Sequence, residues 1–163
     1  MRADILKTVR HVHEMFIDKC LTLSVAESCT GGLISSLLTD LPGASSFFIA
    51  GIVSYSEQAK KGILGVSPVT IKKYGVVSAE TAKEMAEQVR KKAKTDYALA
   101  ATGNLGPDVL EGKEKGLIYT AASKKGKTIS RELRLKGGRE KNKENAALAA
   151  LKLLIELLEG RIA

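Results

Sequence analysis

Residues 21–38, LTLSVAESCTGGLISSLL, restrict the fold more than any other stretch, because two periodicities meet there across a polar turn. Leu21, Leu23 and Val25 alternate with Thr22, Ser24 and Ala26, the period of a strand. Leu33, Ile34, Leu37 and Leu38 then recur at the spacing of one helix face. Between them, Glu27, Ser28, Cys29, Thr30, Gly31 and Gly32 bring a carboxylate, hydroxyls and a thiol to a helix N-terminus. Free N–H groups and the helix dipole favour negative charge at such a place, so an oxyanion and a phosphate are both open as occupants.

The remaining chain reads as alternating helices and strands. Ile5, Val9, Val12 and Phe16 mark an amphipathic helix over 4–19. Pro42 and Gly43 end the helix that follows the first strand. The nearly continuous apolar run 47–54 predicts a second strand buried on both faces. A short helix over 57–64 and a connector over 66–74, with Pro68 as a possible helix start, come next. Ser78 is placed to cap a helix over 79–94. A third strand, 97–102, runs into Gly103, Asn104, Leu105, Gly106 and Pro107, and strands 116–122 and 128–135 flank a hairpin turn. The chain closes on a helix from 139, with Leu148, Leu151, Leu154, Ile155 and Leu158 inward and Lys152 and Glu156 as an exposed pair. This helix has more apolar sides than one core face requires, which predicts a homo-oligomer. The fold class is α/β, a three-layer α/β/α domain with a mixed, mostly parallel sheet of about five strands. At 163 residues, 1–163 forms one domain, large enough to bury roughly 70% of its extended surface. Ligands in such sheets sit beyond the carboxyl ends of strands, here 26–32, 54–60 and 102–107.

Composition removes several functions. No apolar run nears the ~20 residues of a membrane span, and the charged N-terminus is not a signal peptide, so a cytoplasmic location is expected. Cys20 and Cys29 read as reduced thiols, without the paired spacing of a zinc site. His11 and His13 lie two apart on a helix and face different ways, which argues against a histidine-centred triad or a metal pair. Neither metal nor cofactor is expected. The net charge of +8 invites nucleic acid, yet aromatics are only 4% and Trp is absent, so a solvated basic surface is the better reading.

Ser28 is a candidate nucleophile, and lysine is the remaining base. Lys60, about one turn past the second strand, would need its pKa lowered from about 10.4 by burial or by a nearby cation such as Arg139. By spacing alone it reads more readily as one surface lysine among many. Cys29 is a rival nucleophile, Thr30 a possible helix cap, and Glu27 a possible base or lysine partner. Tyr55 is a core phenol or a substrate contact.

Taken in order, VAESCTGG at 25–32, PGAS at 42–45, SYSEQAK at 54–60, YGVVS at 74–78 and DYALAATG with a following GP over 96–107 resemble the CinA C-terminal domain family. The resemblance implies an amidase that converts nicotinamide mononucleotide to nicotinic acid mononucleotide and ammonia, without metal or cofactor. It further implies Ser28 as nucleophile, Lys60 as general base, Tyr55 as an assisting residue and Arg139 as a substrate-positioning group. Backbone N–H groups near Gly31 or Gly103 would hold the oxyanion, and Thr30, Gly32 and Asn104 join the substrate-binding set. The partner is then a small-molecule nucleotide. Against the family's GIAGP, glycine-rich loop and PVGT, this chain has GNLGP and DVLEGKEKGL, with Leu117 for the last Thr. Gly138 stands where an Asp usually precedes the arginine, and Lys143 where a second arginine is usual. These departures motivate an alternative, a nucleotide-binding or regulatory module of the same fold without turnover.

Overall fold

The structure is a computed structural model and describes residues 2–161. Helix α1 (Arg2–Asp18) leads into strand β1 (Leu23–Glu27), helix α2 (Leu33–Thr39), a 3-10 turn (Ala44–Ser46) and strand β2 (Phe48–Val53). A single turn α3 (Glu57–Ala59) continues as a π-turn (Lys60–Leu64), followed by α4 (Pro68–Tyr74) and α5 (Ala79–Ala93). Strands β3 (Tyr97–Gly103), β4 (Leu117–Lys124) and β5 (Lys127–Arg134) precede the long helix α6 (Arg139–Glu159). Ser78 caps α5 as its position predicts, its hydroxyl accepting from the Thr81 N–H.

The five strands lie in the order β2-β1-β3-β4-β5. Strand β1 is parallel to β2 and β3, whereas β3 with β4 and β4 with β5 are antiparallel. The sheet is therefore mixed, as predicted, but evenly divided rather than mostly parallel. The connection from β3 to β4 holds no helix, and a parallel return needs a crossover. One core cluster joins α1, α2 and α6 to one side of the sheet through Phe16, Leu23, Val25, Leu99, Leu151 and Leu154. The other joins α4, α5 and the π-turn through Ala26, Leu64, Ile71, Met85, Val89 and Ala100.

Two packing expectations are corrected. Strand β2 is the sheet edge, and Ile49 and Val53 are 52% and 48% exposed rather than enclosed on both faces. Its deepest anchor is the preceding Phe47, packed against Phe16 and His13 with ring centroids 5.5 and 4.8 Å away. On α6, Lys152 and Glu156 do not pair with each other. Lys152 reaches Asp4 of α1 at 3.7 Å and Glu156 reaches Arg131 of β5 at 2.8 Å, because α6 lies between those elements. Leu151, Leu153, Leu154 and Leu157 are all buried within the chain, and Leu158 is half-buried. The apolar sides that suggested a homo-oligomer are thus covered by α1, α2 and the sheet. Among the described residues, no helix is long and apolar enough to cross a membrane.

Candidate active site

At the end of β1 the alternation of a strand sends Glu27 and Ser28 to opposite faces. The Glu27 carboxylate, fully buried on the α2 side, accepts N–H bonds from Gly32 at 3.2 Å and from Ile34 and Ser35 at 2.9 Å each. The Ser35 hydroxyl donates a fourth bond at 2.7 Å. Glu27 is therefore the cap of α2, not a base or a lysine partner, and it fills the anion site that the sequence left open. Thr30 does not cap the helix; its hydroxyl is buried without a hydrogen-bond partner and lies outside the cleft. Gly31 and Gly32 take φ values of 57° and 102°, where an L side chain is strained, and thereby turn the chain into α2. The Gly31 N–H donates to the Ser28 carbonyl at 3.0 Å, so neither glycine N–H is turned toward an incoming oxyanion.

Ser28 faces the other way, toward Lys60. The Ser54 N–H donates to the Glu27 carbonyl at 2.8 Å, which fixes the exit of β2 beside the turn. Ser56 then caps α3, and the switch into the π-turn points Lys60 back beneath the strand ends. Lys60 is only 1% exposed, and its Nζ lies 2.7 Å from Ser28 Oγ, 3.0 Å from the Ser54 carbonyl and 3.2 Å from the Tyr55 carbonyl. As a neutral amine, Lys60 would give its two N–H bonds to the carbonyls and direct its lone pair at the Ser28 proton. Burial lowers its pKa from 10.5 to about 8, against the opposing pull of the Glu111 and Glu57 carboxylates. The cause is desolvation, not the neighbouring cation considered from sequence. Cys29 is also buried, which pushes its thiol up to about 12 and keeps it protonated. His13 Nε2 lies 2.7 Å from the Leu38 carbonyl and His11 is 3.3 Å from Glu159; neither lines the cleft.

The opposite wall comes from the end of β3. Pleat alternation turns the Gly103 N–H toward β1 and Ser28, and the Ser28 N–H itself donates to the Ala101 carbonyl at 3.0 Å. A Cβ on Gly103 would stand 2.5 Å from the Leu117 carbonyl and 2.7 Å from Ile118 Cα, so this position requires glycine. The Asn104 side chain, expected to bind substrate, instead accepts from the Leu110 N–H at 3.0 Å and donates to the Leu110 and Lys113 carbonyls. It shapes the loop that carries the cleft's outer residues.

Two anchors of that loop were not identified from sequence. Asn142 of α6 donates to the Leu105 carbonyl at 3.1 Å, and Glu111 accepts from the Val76 and Val77 N–H groups at 2.8 and 3.1 Å. Burial alone pushes the Glu111 carboxyl up, but these N–H groups and Lys113 outweigh it and hold the carboxyl below the usual range. The signal available beforehand was YGVVS, whose backbone receives this carboxylate. At the rim, Arg139 donates to the Tyr55 hydroxyl at 2.9 Å and to the Gly106 carbonyl at 2.7 Å. Tyr55 is 59% exposed and so is a rim residue, not a core phenol. Together these groups enclose about 220 Å³ lined by Ser28, Cys29, Tyr55, Gly103, Asn104, Leu105, Asp108, Val109, Leu110 and Arg139.

The family model of the CinA C-terminal domain matches residues 6–158. The chain belongs to this family. The CinA domain here is 51% identical over 142 residues to a protein of Acetivibrio thermocellus named as competence-damage inducible, covering 86% of this chain and 34% of that protein. A similarly named protein of Desulforamulus reducens is 45% identical over 150 residues, 92% of this chain and 36% of its own. The chain thus spans about a third of the length of the curated relatives it matches. Among solved structures, a CinA superfamily protein of Escherichia coli superposes with a TM-score of 0.92 at 33% identity, covering 96% of this chain and 92% of that one. A competence/damage inducible protein of Agrobacterium tumefaciens gives 0.91 at 35% identity, covering 94% and 95%. These names state no substrate and no reaction. Of the departures from the family pattern, Leu117 is buried in the α5-side core and Gly138 is an exposed N-cap of α6 without a side-chain bond. In this CinA domain neither alters the Ser28–Lys60 pair directly.

Proposed function

We propose that the chain is an amidohydrolase that removes ammonia from the carboxamide of nicotinamide mononucleotide by a Ser28–Lys60 mechanism. The observation that carries this reading is the 2.7 Å contact between Lys60 Nζ and Ser28 Oγ in a buried setting that lowers the lysine pKa to about 8. Neutral Lys60 takes the Ser28 proton as Oγ attacks the carboxamide carbon. The resulting oxyanion faces the Gly103 N–H, and the Lys60 ammonium returns its proton to the departing amine, releasing ammonia. Water then attacks the Ser28 ester with Lys60 again accepting a proton, which frees the carboxylic acid and restores the serine. Arg139, steadied by Tyr55 and Gly106, borders the cleft where an anionic part of the substrate would approach.

Purified protein incubated with nicotinamide mononucleotide is expected to release ammonia and nicotinic acid mononucleotide, and Ser28→Ala is expected to stop it. Absence of product from the wild type, or an unchanged rate in the variant, would sink the reading. The engagement of Arg139 with two groups of the protein favours one competitor, a nucleotide-binding module without turnover. Tight nucleotide binding with no ammonia after long incubation would select it.

A further inference from the structure

The loop between β3 and β4 places Leu105, Asp108, Val109 and Leu110 along the cleft that holds Ser28. Val109 and Leu110 leave apolar surface open to solvent beside the nucleophile, an arrangement suited to a ligand face. Asp108 makes no hydrogen bond or ion pair among the described residues. The charged side chain that shares the lining with it, Arg139, directs its bonds to the Gly106 carbonyl and the Tyr55 hydroxyl. A carboxylate beside apolar walls raises the local concentration of cations and discriminates against anions.

The loop is also held in place. Asn104 fastens its Leu110 and Lys113 backbone, Asn142 holds Leu105, and Glu111 ties the far side to Val76 and Val77. Asp108 therefore stands on a braced segment, and little ordering cost opposes its contact with a ligand.

We propose that Asp108, set among Leu105, Val109 and Leu110, makes this cleft selective for carboxamides carried on a flat, positively charged ring. The carboxamide part rests on the amidase reading above; the charge selection rests on the cleft lining alone. A ring nitrogen that bears a carbon substituent carries a fixed positive charge. Its face packs on the leucine and valine side chains while its charge lies toward Asp108. Any phosphate on the same ligand is directed away from Asp108, to the Arg139 side of the cleft.

Two probes that differ by the N-methyl group that fixes this charge are 1-methylnicotinamide and nicotinamide, and the Asp108 substitutions separate the charge from the added methyl. Their binding to the full chain carrying Ser28→Ala, measured by calorimetry, is expected to favour the methylated cation about tenfold, with the preference shrinking as salt is added. Adding Asp108→Asn is expected to make the two affinities equal, and Asp108→Glu to retain the preference. Equal affinities in the Ser28→Ala protein, a preference that survives Asp108→Asn, or no binding of either probe at millimolar concentration would overturn the proposal. The amidase reading fails separately: wild-type protein that releases no ammonia from nicotinamide mononucleotide while the charge preference persists loses the reaction and keeps the selectivity.

Discussion

Glu27 and Lys60 are both almost completely buried at the same end of the sheet, and the chain treats them in opposite ways. Glu27 lies on the α2 face, where four donors saturate its oxygens and no cleft reaches it. Lys60 lies on the α5 face, where two carbonyls and one serine hydroxyl surround its amine and the serine opens on the cleft. Saturation makes a buried charge a structural clamp, whereas burial beside a hydroxyl that opens on the cleft suits an amine to the base role proposed for Lys60. The helix N-terminus next to Ser28 is consequently occupied by the protein's own carboxylate.

The largest effect that tests this contrast is loss of the reactive pair. Ser28→Ala and Lys60→Met should each lower kcat by about 10³- to 10⁴-fold, as expected for members of one nucleophile–base unit, with circular dichroism unchanged. A loss below tenfold for Lys60→Met would remove lysine from the base role. The complementary substitution, Glu27→Ala, should act on stability first. Stripping four donors of their buried acceptor should cost on the order of 3–5 kcal/mol and lower Tm by roughly 10 °C. A melting curve that does not move would show that α2 needs no cap.

A third comparison uses pH. Since the folded pKa of Lys60 is about 8 and its ordinary value is 10.5, the unfolded chain binds more protons between those values. Stability of the wild type relative to Lys60→Met should therefore rise by roughly 3 kcal/mol as pH increases from about 8 to 10.5, and should be flat below that window. Over the same groups, kcat/KM should climb to an apparent pKa near 8 as the amine loses its proton. A profile that falls across that range would contradict a neutral lysine base. The smallest effect belongs to the rim. Tyr55→Phe removes the hydroxyl that receives Arg139 and should raise KM by roughly three- to tenfold, about 1 kcal/mol, with little change in kcat.

Particular residues mark how far the sequence could be read. The strand–turn–helix at 21–38, the Ser78 cap and the β4–β5 hairpin were legible because each depends on local periodicity or turn chemistry. The pairing of Ser28 with Lys60 could be named only through the family resemblance, since 32 positions separate the two residues and many other lysines were available. A polar residue in a glycine turn looks the same in sequence whether it meets substrate, backbone or nothing, as Thr30 and Asn104 do. Strand β2 lies at the edge for a reason its residues do not carry: an apolar run does not reveal whether a strand has one neighbour or two.

By itself, the sequence determined most of the succession of elements, the mixed α/β class and the turn that carries Ser28, because these follow from side-chain period and backbone preference over a few residues; the 66–74 connector is instead helix α4 from Pro68 on. Only the tertiary structure decided that Glu27 would close the helix while Lys60 met the serine that opens on the cleft. Adjacent residues of a strand face opposite sides of the sheet, and what each side offers comes from chain segments far away in sequence. Burial and partners, not residue type, give one group four donors that hold a helix and the other a contact with the serine of the proposed reaction.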